Sequence, residues 1–205
     1  FVARDTAMRA YREREIRLEG TKKELAILFT DIKGFTFMTE TLGTDIIKLL
    51  NLHYDRAIRY IHQYDGDIGS IIGDALLAVF GLLEAEQKSL QAIHSAYKIQ
   101  EVAASLRKEM NKRKEEIVRR RGALTEAEER VYQAVLLEVG VGIDGGEVFY
   151  GTIGSYERMV NTVIGDTVNS ASRLEGLTRL YKVPVIVSDY IRDEVESHTN
   201  QYQFL

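Results

Sequence analysis

Residues 65–81 read DGDIGSIIGDALLAVFG, and the fold is decided there. Two apolar runs, 71–72 and 75–80, flank the dipeptide Gly73-Asp74, and a Gly-Asp pair so placed predicts a two-residue β-hairpin. Upstream, residues 24–30 (ELAILFT) form a short apolar run that predicts a buried strand. That run breaks into Asp31-Ile32-Lys33-Gly34-Phe35-Thr36, and a helical pattern follows from about Asp45 to Tyr64. If the hairpin pairs beside the first strand, Asp31 at the strand end and Asp74 at the hairpin tip converge at one end of the sheet.

Downstream, a long helix is expected from near Glu84. From Arg107 to Arg130, fifteen of twenty-four residues are charged, a density that excludes a core element and predicts an exposed helical extension over about 105–134. Within it, Thr125-x-x-Glu128 has the spacing of a capping box. Residues 135–143 and 147–153 read as two strands joined through Gly145-Gly146, and GDTVNSASRLEGLTRLY as a helix. VPVIVS reads as a further strand, with the only proline, Pro184, at its start. A short helix and the beginning of another strand, 202–205, complete the order. Strand, helix, hairpin, helix, hairpin, helix, strand, helix is an α+β arrangement with mostly antiparallel pairing.

At 205 residues, 45 % hydrophobic and 28 % charged, the chain suits one domain with a real core. A net charge of −4 argues against binding nucleic acid by bulk charge, and the absence of cysteine excludes disulfides, cysteine-ligated zinc and thiol nucleophiles. No apolar run reaches the ~18 residues that span a bilayer. Residues 1–20 predict a charged helical lead-in ending at Gly20, read equally as a solvated helix or a dimerising coil, with the domain proper over 21–205. A chain starting at Phe1 reads as a piece of a longer protein, cut at both ends.

Two carboxylates at one sheet end offer hard oxygen ligands of the kind that Mg²⁺ or Mn²⁺ takes together with substrate phosphates. Gly34, Phe35 and Thr36 supply backbone amides in a strand-to-helix turn, an anion cradle. Asn169 and Arg173 lie four apart and share a helix face, where Arg could neutralise a phosphoryl group and Asn orient it. Taken singly, each of these residues also fits an ordinary turn or helix surface.

Taken together, FTDIKGFT (29–36), GDIGSIIGDALLAVFG (66–81), VGIDGGEVFYGTIGS (141–155) and NTVIGDTVNSASRLEG (161–176) stand in the order and approximate spacing of the class III nucleotidyl cyclase catalytic domain. The sequence resembles bacterial adenylate cyclases of that class over roughly 24–200, apart from the charged insertion. The resemblance implies a ferredoxin-like βαββαβ-type sheet with helices, active as a head-to-tail homodimer. It implies two Mg²⁺ or Mn²⁺ ions held by Asp31, Asp74 and the Ile32 carbonyl, with the triphosphate received at Gly34, Phe35 and Thr36. Asn169 near the ribose and Arg173 at the α-phosphate match the transition-state pair. Ser70 and Thr162 match the positions that read the base. Thr162 suits adenine, whereas Ser70 stands where adenylate cyclases generally carry lysine. The implied reaction is cyclisation of ATP to 3′,5′-cyclic AMP with loss of pyrophosphate. The alternatives are a guanylate or mixed-purine cyclase and a degenerate nucleotide-binding regulatory module. The expected context is a cytoplasmic output domain behind an upstream sensor or membrane domain of the same polypeptide, with no nucleic-acid partner.

Overall fold

Successive residues of a strand face opposite sides of a sheet, and the run after Glu24 is apolar on both. Leu25 and Ile27 pack one face with Leu77, Val79, Val148, Val163 and Ala171, while Ala26 and Leu28 pack the other with Leu76, Ala78 and Phe80. Covering both faces is what makes the central strand a continuous apolar run. The computed structural model describes residues 20–42, 44–134, 137–155 and 158–204. The central strand is β1 (Gly20–Ile32). It is followed by α1 (Phe35–Leu42), α2 (Asp45–Gln63), β2 (Asp67–Ile72), β3 (Ala75–Phe80), α3 (Lys88–Arg121) and α4 (Glu126–Ala134). Then come β4 (Val139–Ser155), β5 (Arg158–Ile164), α5 (Asp166–Tyr181), β6 (Val185–Val187) and α6 (Asp189–His198).

The sheet runs β2-β3-β1-β4-β5 with antiparallel neighbours, and β6 adds to β4 in parallel. Helices α2, α3 and α6 cover the Ala26/Leu28 face through residues such as Tyr54, Ile61, Ile99 and Ile191. Helix α5 lies on the opposite face through Ala171. It packs directly on the β4 backbone: a Cβ at Gly142 would stand 2.2 Å from the Ala171 carbonyl oxygen and 2.2 Å from the Glu175 nitrogen.

The α+β reading and the β2–β3 hairpin hold, and four local expectations are corrected. Gly20 is not a helix stop. It is the first residue of β1, paired with Gly151, while residues 1–19 and any lead-in helix lie outside the described residues. Gly145-Gly146 is not a turn, because β4 runs unbroken past it along the whole of β1, with Gly145 opposite Ala26 and Gly146 opposite Leu25. Gly145 answers instead to close approach, since a Cβ there would strike the Tyr190 ring at 2.3 Å, and Gly146 to a φ of +149°. The later hairpin is β4–β5, paired from Phe149↔Ile164 to Ser155↔Arg158. At the C-terminus, 202–204 form no strand; Tyr202 stacks on Tyr97 of α3 at 5.7 Å. One element went unforeseen, since α1 begins directly at Phe35.

The charged extension is helical and solvated along most of its length. Helix α3 ends on Gly122, whose φ of 86° is left-handed and whose N–H returns to Val118. The capping box forms reciprocally: Thr125 N–H donates to Glu128 Oε2 at 2.9 Å, and Glu128 N–H donates to Thr125 Oγ1 at 3.2 Å. Buried Val102, Leu106 and Leu137, with Tyr60, Met110 and Val131 packed against them, anchor its base to the body. Among the described residues no helix is long and apolar enough to cross a membrane.

Candidate active site

Pairing of β1 with β3 (Thr30↔Leu76) brings Asp31 beside the β2–β3 turn. Ladder contacts run to Ile72↔Ala75, which leaves Gly73 and Asp74 as the two central turn residues. Gly73 has a φ of +63°, and Asp74 is not among the positive-φ residues, the pattern of a type II′ hairpin turn with glycine first. The predicted convergence is therefore present: the Asp74 carboxyl lies beside that of Asp31, within hydrogen-bonding reach.

Burial, that contact and the Asp31 charge together push the Asp74 pKa up to about 7. The Asp74 carboxyl so placed holds its proton up to near neutrality. Asp31 Oδ2 accepts from Arg179 Nη2 of α5 at 2.7 Å, while its Oδ1 is buried with no hydrogen-bond partner among the described residues. A second buried carboxyl stands close by. Glu175 is 5 % exposed, and burial followed by the charge of Asp31 raises its pKa. An orphaned carboxylate oxygen beside a carboxyl that holds its proton fits a hard divalent cation, whose charge would replace both the Asp74 proton and Arg179. Among the described residues there is no cluster of three or more potential ligating side chains. Such an ion would complete its shell with backbone oxygen, water and substrate phosphate. The Ile32 side chain is 2 % exposed in the core, so only its backbone could serve here.

Around Gly34 (φ +73°) the chain turns into α1, and the first helical bond runs from Met38 N–H to Gly34 O at 3.0 Å. The amides ahead of Met38 are those that every helix start leaves without a helical acceptor. Phe35 packs its ring against the core, and Thr36 is exposed, so this position offers backbone more than side chain.

Asn169 and Arg173 lie elsewhere. Helix α5 buries Ala171, Glu175 and Thr178. At about 100° per residue, positions 169 and 173 fall roughly half a turn away, and both are exposed. Ten residues of helix put Asn169 about 15 Å along the axis from Arg179, which reaches Asp31. The structure thus assembles the aspartates and separates them from the Asn/Arg pair of the same chain.

A cleft of about 230 Å³ opens between β2 and the β4–β5 ribbon, lined by Asp67, Ile68, Gly69, Tyr150, Asn161 and Thr162 among others. Thr162 is thus placed at a cavity. Ser70 does not line it: the β2 register shifts between Ile68 and Ser70, and Gly69 takes the lining position. Sequence reasoning missed Arg179, Glu175, Tyr54 and Asp67 at these places. Each is brought in by tertiary contact, and only the four-residue spacing of Glu175 and Arg179 on one helix hinted at a shared face.

Comparison with known proteins identifies the family and the fold. The family model for the adenylate and guanylate cyclase catalytic domain matches residues 19–204. An adenylate cyclase of Anabaena cylindrica is 31 % identical over 175 residues, which are 84 % of this chain and 31 % of that protein. The chain thus spans about a third of that relative's length. The crystal structure of the adenylyl cyclase CyaB from P. aeruginosa superposes with a TM-score of 0.69 at 26 % identity, covering 88 % of this chain and 84 % of that one. That of the guanylyl cyclase Cya2 does so with a TM-score of 0.68 at 25 % identity, covering 90 % and 82 %. The chain belongs to the family of adenylate and guanylate cyclase catalytic domains.

Proposed function

We propose that this domain cyclises ATP to 3′,5′-cyclic AMP, with release of pyrophosphate, in a homodimer whose copies each supply half of every site. The 3′-hydroxyl oxygen bonds to the α-phosphorus, the bond to the pyrophosphate oxygen breaks, and the hydroxyl proton is lost. Asp31 and Asp74, with the Ile32 carbonyl, hold two Mg²⁺ or Mn²⁺ ions. When bound, these ions neutralise the triphosphate and favour the attacking hydroxyl. The amides at Gly34, Phe35 and Thr36 receive the phosphates. From the second copy, Arg173 stabilises charge at the α-phosphate and Asn169 holds the ribose. Thr162 accepts a hydrogen bond from the exocyclic amine of adenine, with Ser70 at the neighbouring base-reading position.

The observation that carries this reading is the Asp31–Asp74 pair, carboxyl beside carboxyl at one end of the sheet with one Asp31 oxygen left unpartnered. Support for the dimer comes from the exposed Asn169 and Arg173, which their own helix turns away from that pair. The wider context proposed is a signalling protein with an attached sensor region, in keeping with the third of the Anabaena relative that the match spans.

A second reading, GTP or mixed-purine cyclisation, is favoured by Ser70, since a site without a charged base reader discriminates less. A product assay with Mn²⁺ or Mg²⁺ on ATP and on GTP decides. Cyclic AMP from wild type, none from Asp74→Ala, and a higher ATP:GTP ratio in Ser70→Lys are expected. Faster turnover of GTP than of ATP would replace the first reading by the second. Nucleotide binding with no cyclic product under either metal would leave a regulatory module.

A further inference from the structure

Tyr54 sits in the middle of α2 with its ring in the core, 9 % exposed. Its hydroxyl donates a 3.0 Å hydrogen bond to the Gly73 carbonyl. That carbonyl belongs to the central peptide of the β2–β3 turn, which the ladder leaves unpaired. Orientation of the central peptide distinguishes one turn type from another, so a donor fixed on the carbonyl selects the turn. The N–H of the same peptide is that of Asp74, so the peptide leads directly into the residue that carries the carboxyl. One rigid plane is therefore held at its oxygen by Tyr54 and carries the Asp74 backbone at its nitrogen.

Packing alone does not call for the hydroxyl. Phenylalanine would fill the same space without placing a polar atom in the core, where a hydroxyl is costly unless bonded. We propose that Tyr54 is a positioning residue for the cation site, holding the Gly73–Asp74 peptide so that the Asp74 carboxyl stays against Asp31. The proposal rests on the reading of Asp31 and Asp74 as the cation ligands. It makes α2, which carries none of the proposed ligands, part of the device that aims one of them.

The test is an Mn²⁺ titration, followed by electron paramagnetic resonance, of Tyr54→Phe, Asp74→Ala and wild type with a non-cyclisable ATP analogue present. Tyr97→Phe, altering an exposed ring stacked on Tyr202, is the control. Loss of a hydrogen bond behind a metal ligand typically weakens metal binding about 10-fold or more. Tyr54→Phe should therefore bind Mn²⁺ about 10-fold more weakly, with metal-free nucleotide affinity and melting temperature close to wild type. Wild-type Mn²⁺ affinity in Tyr54→Phe overturns the proposal, and so does a loss matched by equal losses of nucleotide affinity and thermal stability. Undiminished Mn²⁺ binding by Asp74→Ala overturns the ligand reading itself, and the proposal with it. Should Tyr54→Phe fail to fold, 3-fluorotyrosine at position 54 keeps ring and hydroxyl. Its fluorine resonance should shift when Mg²⁺ and the analogue are added, and a resonance indifferent to the cation overturns the proposal.

Discussion

Asp31 and Asp74 meet each other, Arg179 and a buried strand end within a single chain, whereas Asn169 and Arg173, on the same helix as Arg179, project into solvent. Among the described residues neither the Asn169 nor the Arg173 side chain forms a hydrogen bond or an ion pair. The difference lies in helix geometry. The face of α5 that buries Ala171, Glu175 and Thr178 is fixed by close contact with Gly142, and this directs positions 169 and 173 outward. The aspartate pair is assembled within its own chain, and the Asn/Arg pair is presented to solvent on a rigid helix.

The contrast can be broken most severely at Arg173. If it acts only on a developing phosphoryl charge, Arg173→Ala should lower kcat by about 10²–10³-fold. Mn²⁺ affinity in the absence of nucleotide should stay unchanged, as read by titration. A matching loss of metal binding would mean that the two regions are not separate.

A smaller effect probes the other half through pH. An Asp74 pKa near 7 means that a cation must displace a proton at or below neutrality. Apparent Mn²⁺ affinity should then rise about 10-fold per pH unit below 7 and level off above it. Stability without cation should move the other way. A carboxyl whose pKa is raised on folding stabilises most when protonated. That contribution is full below the ordinary value of 3.8 and is lost as pH climbs through about 7. Urea midpoints of metal-free protein from pH 5 to 8 check the sign. The same series on Asp74→Asn, which lacks the carboxyl, isolates its share, and a wild-type midpoint that rises with pH relative to that variant would contradict the raised Asp74 pKa.

The smallest effect belongs to Arg179, the weakest of the influences on Asp74 and one that lowers its pKa. Arg179→Gln should move the pH midpoint of Mn²⁺ binding upward by less than about one unit. No shift, or a downward one, would show that the 2.7 Å ion pair with Asp31 plays no part in setting the charge of the pair.

What was legible in the sequence is what local chemistry determines. Gly73-Asp74 between two apolar runs specifies its turn, Thr125-x-x-Glu128 its cap, and the 161–176 segment its helix. Gly145-Gly146 misled because the same dipeptide serves two purposes. It can turn a chain, or it can let another element come close, and only the position of Tyr190 decides. Arg179 reaches Asp31 across 148 residues and Tyr54 reaches Gly73 across 19, so neither contact has a local signature. That Gly69 and not Ser70 lines the cleft with Thr162 was obscured by the shift of register between Ile68 and Ser70, which periodicity cannot foresee.

The central claim is that each site is completed by a second copy. The direct test mixes Asp74→Ala with Arg173→Ala, each inactive alone, in equal amounts under conditions that allow subunits to exchange. Random pairing makes half the dimers mixed, each with one intact site of two, so activity should recover to about a quarter of wild type. A mixture as inactive as its parts, once exchange has been verified, would contradict the account.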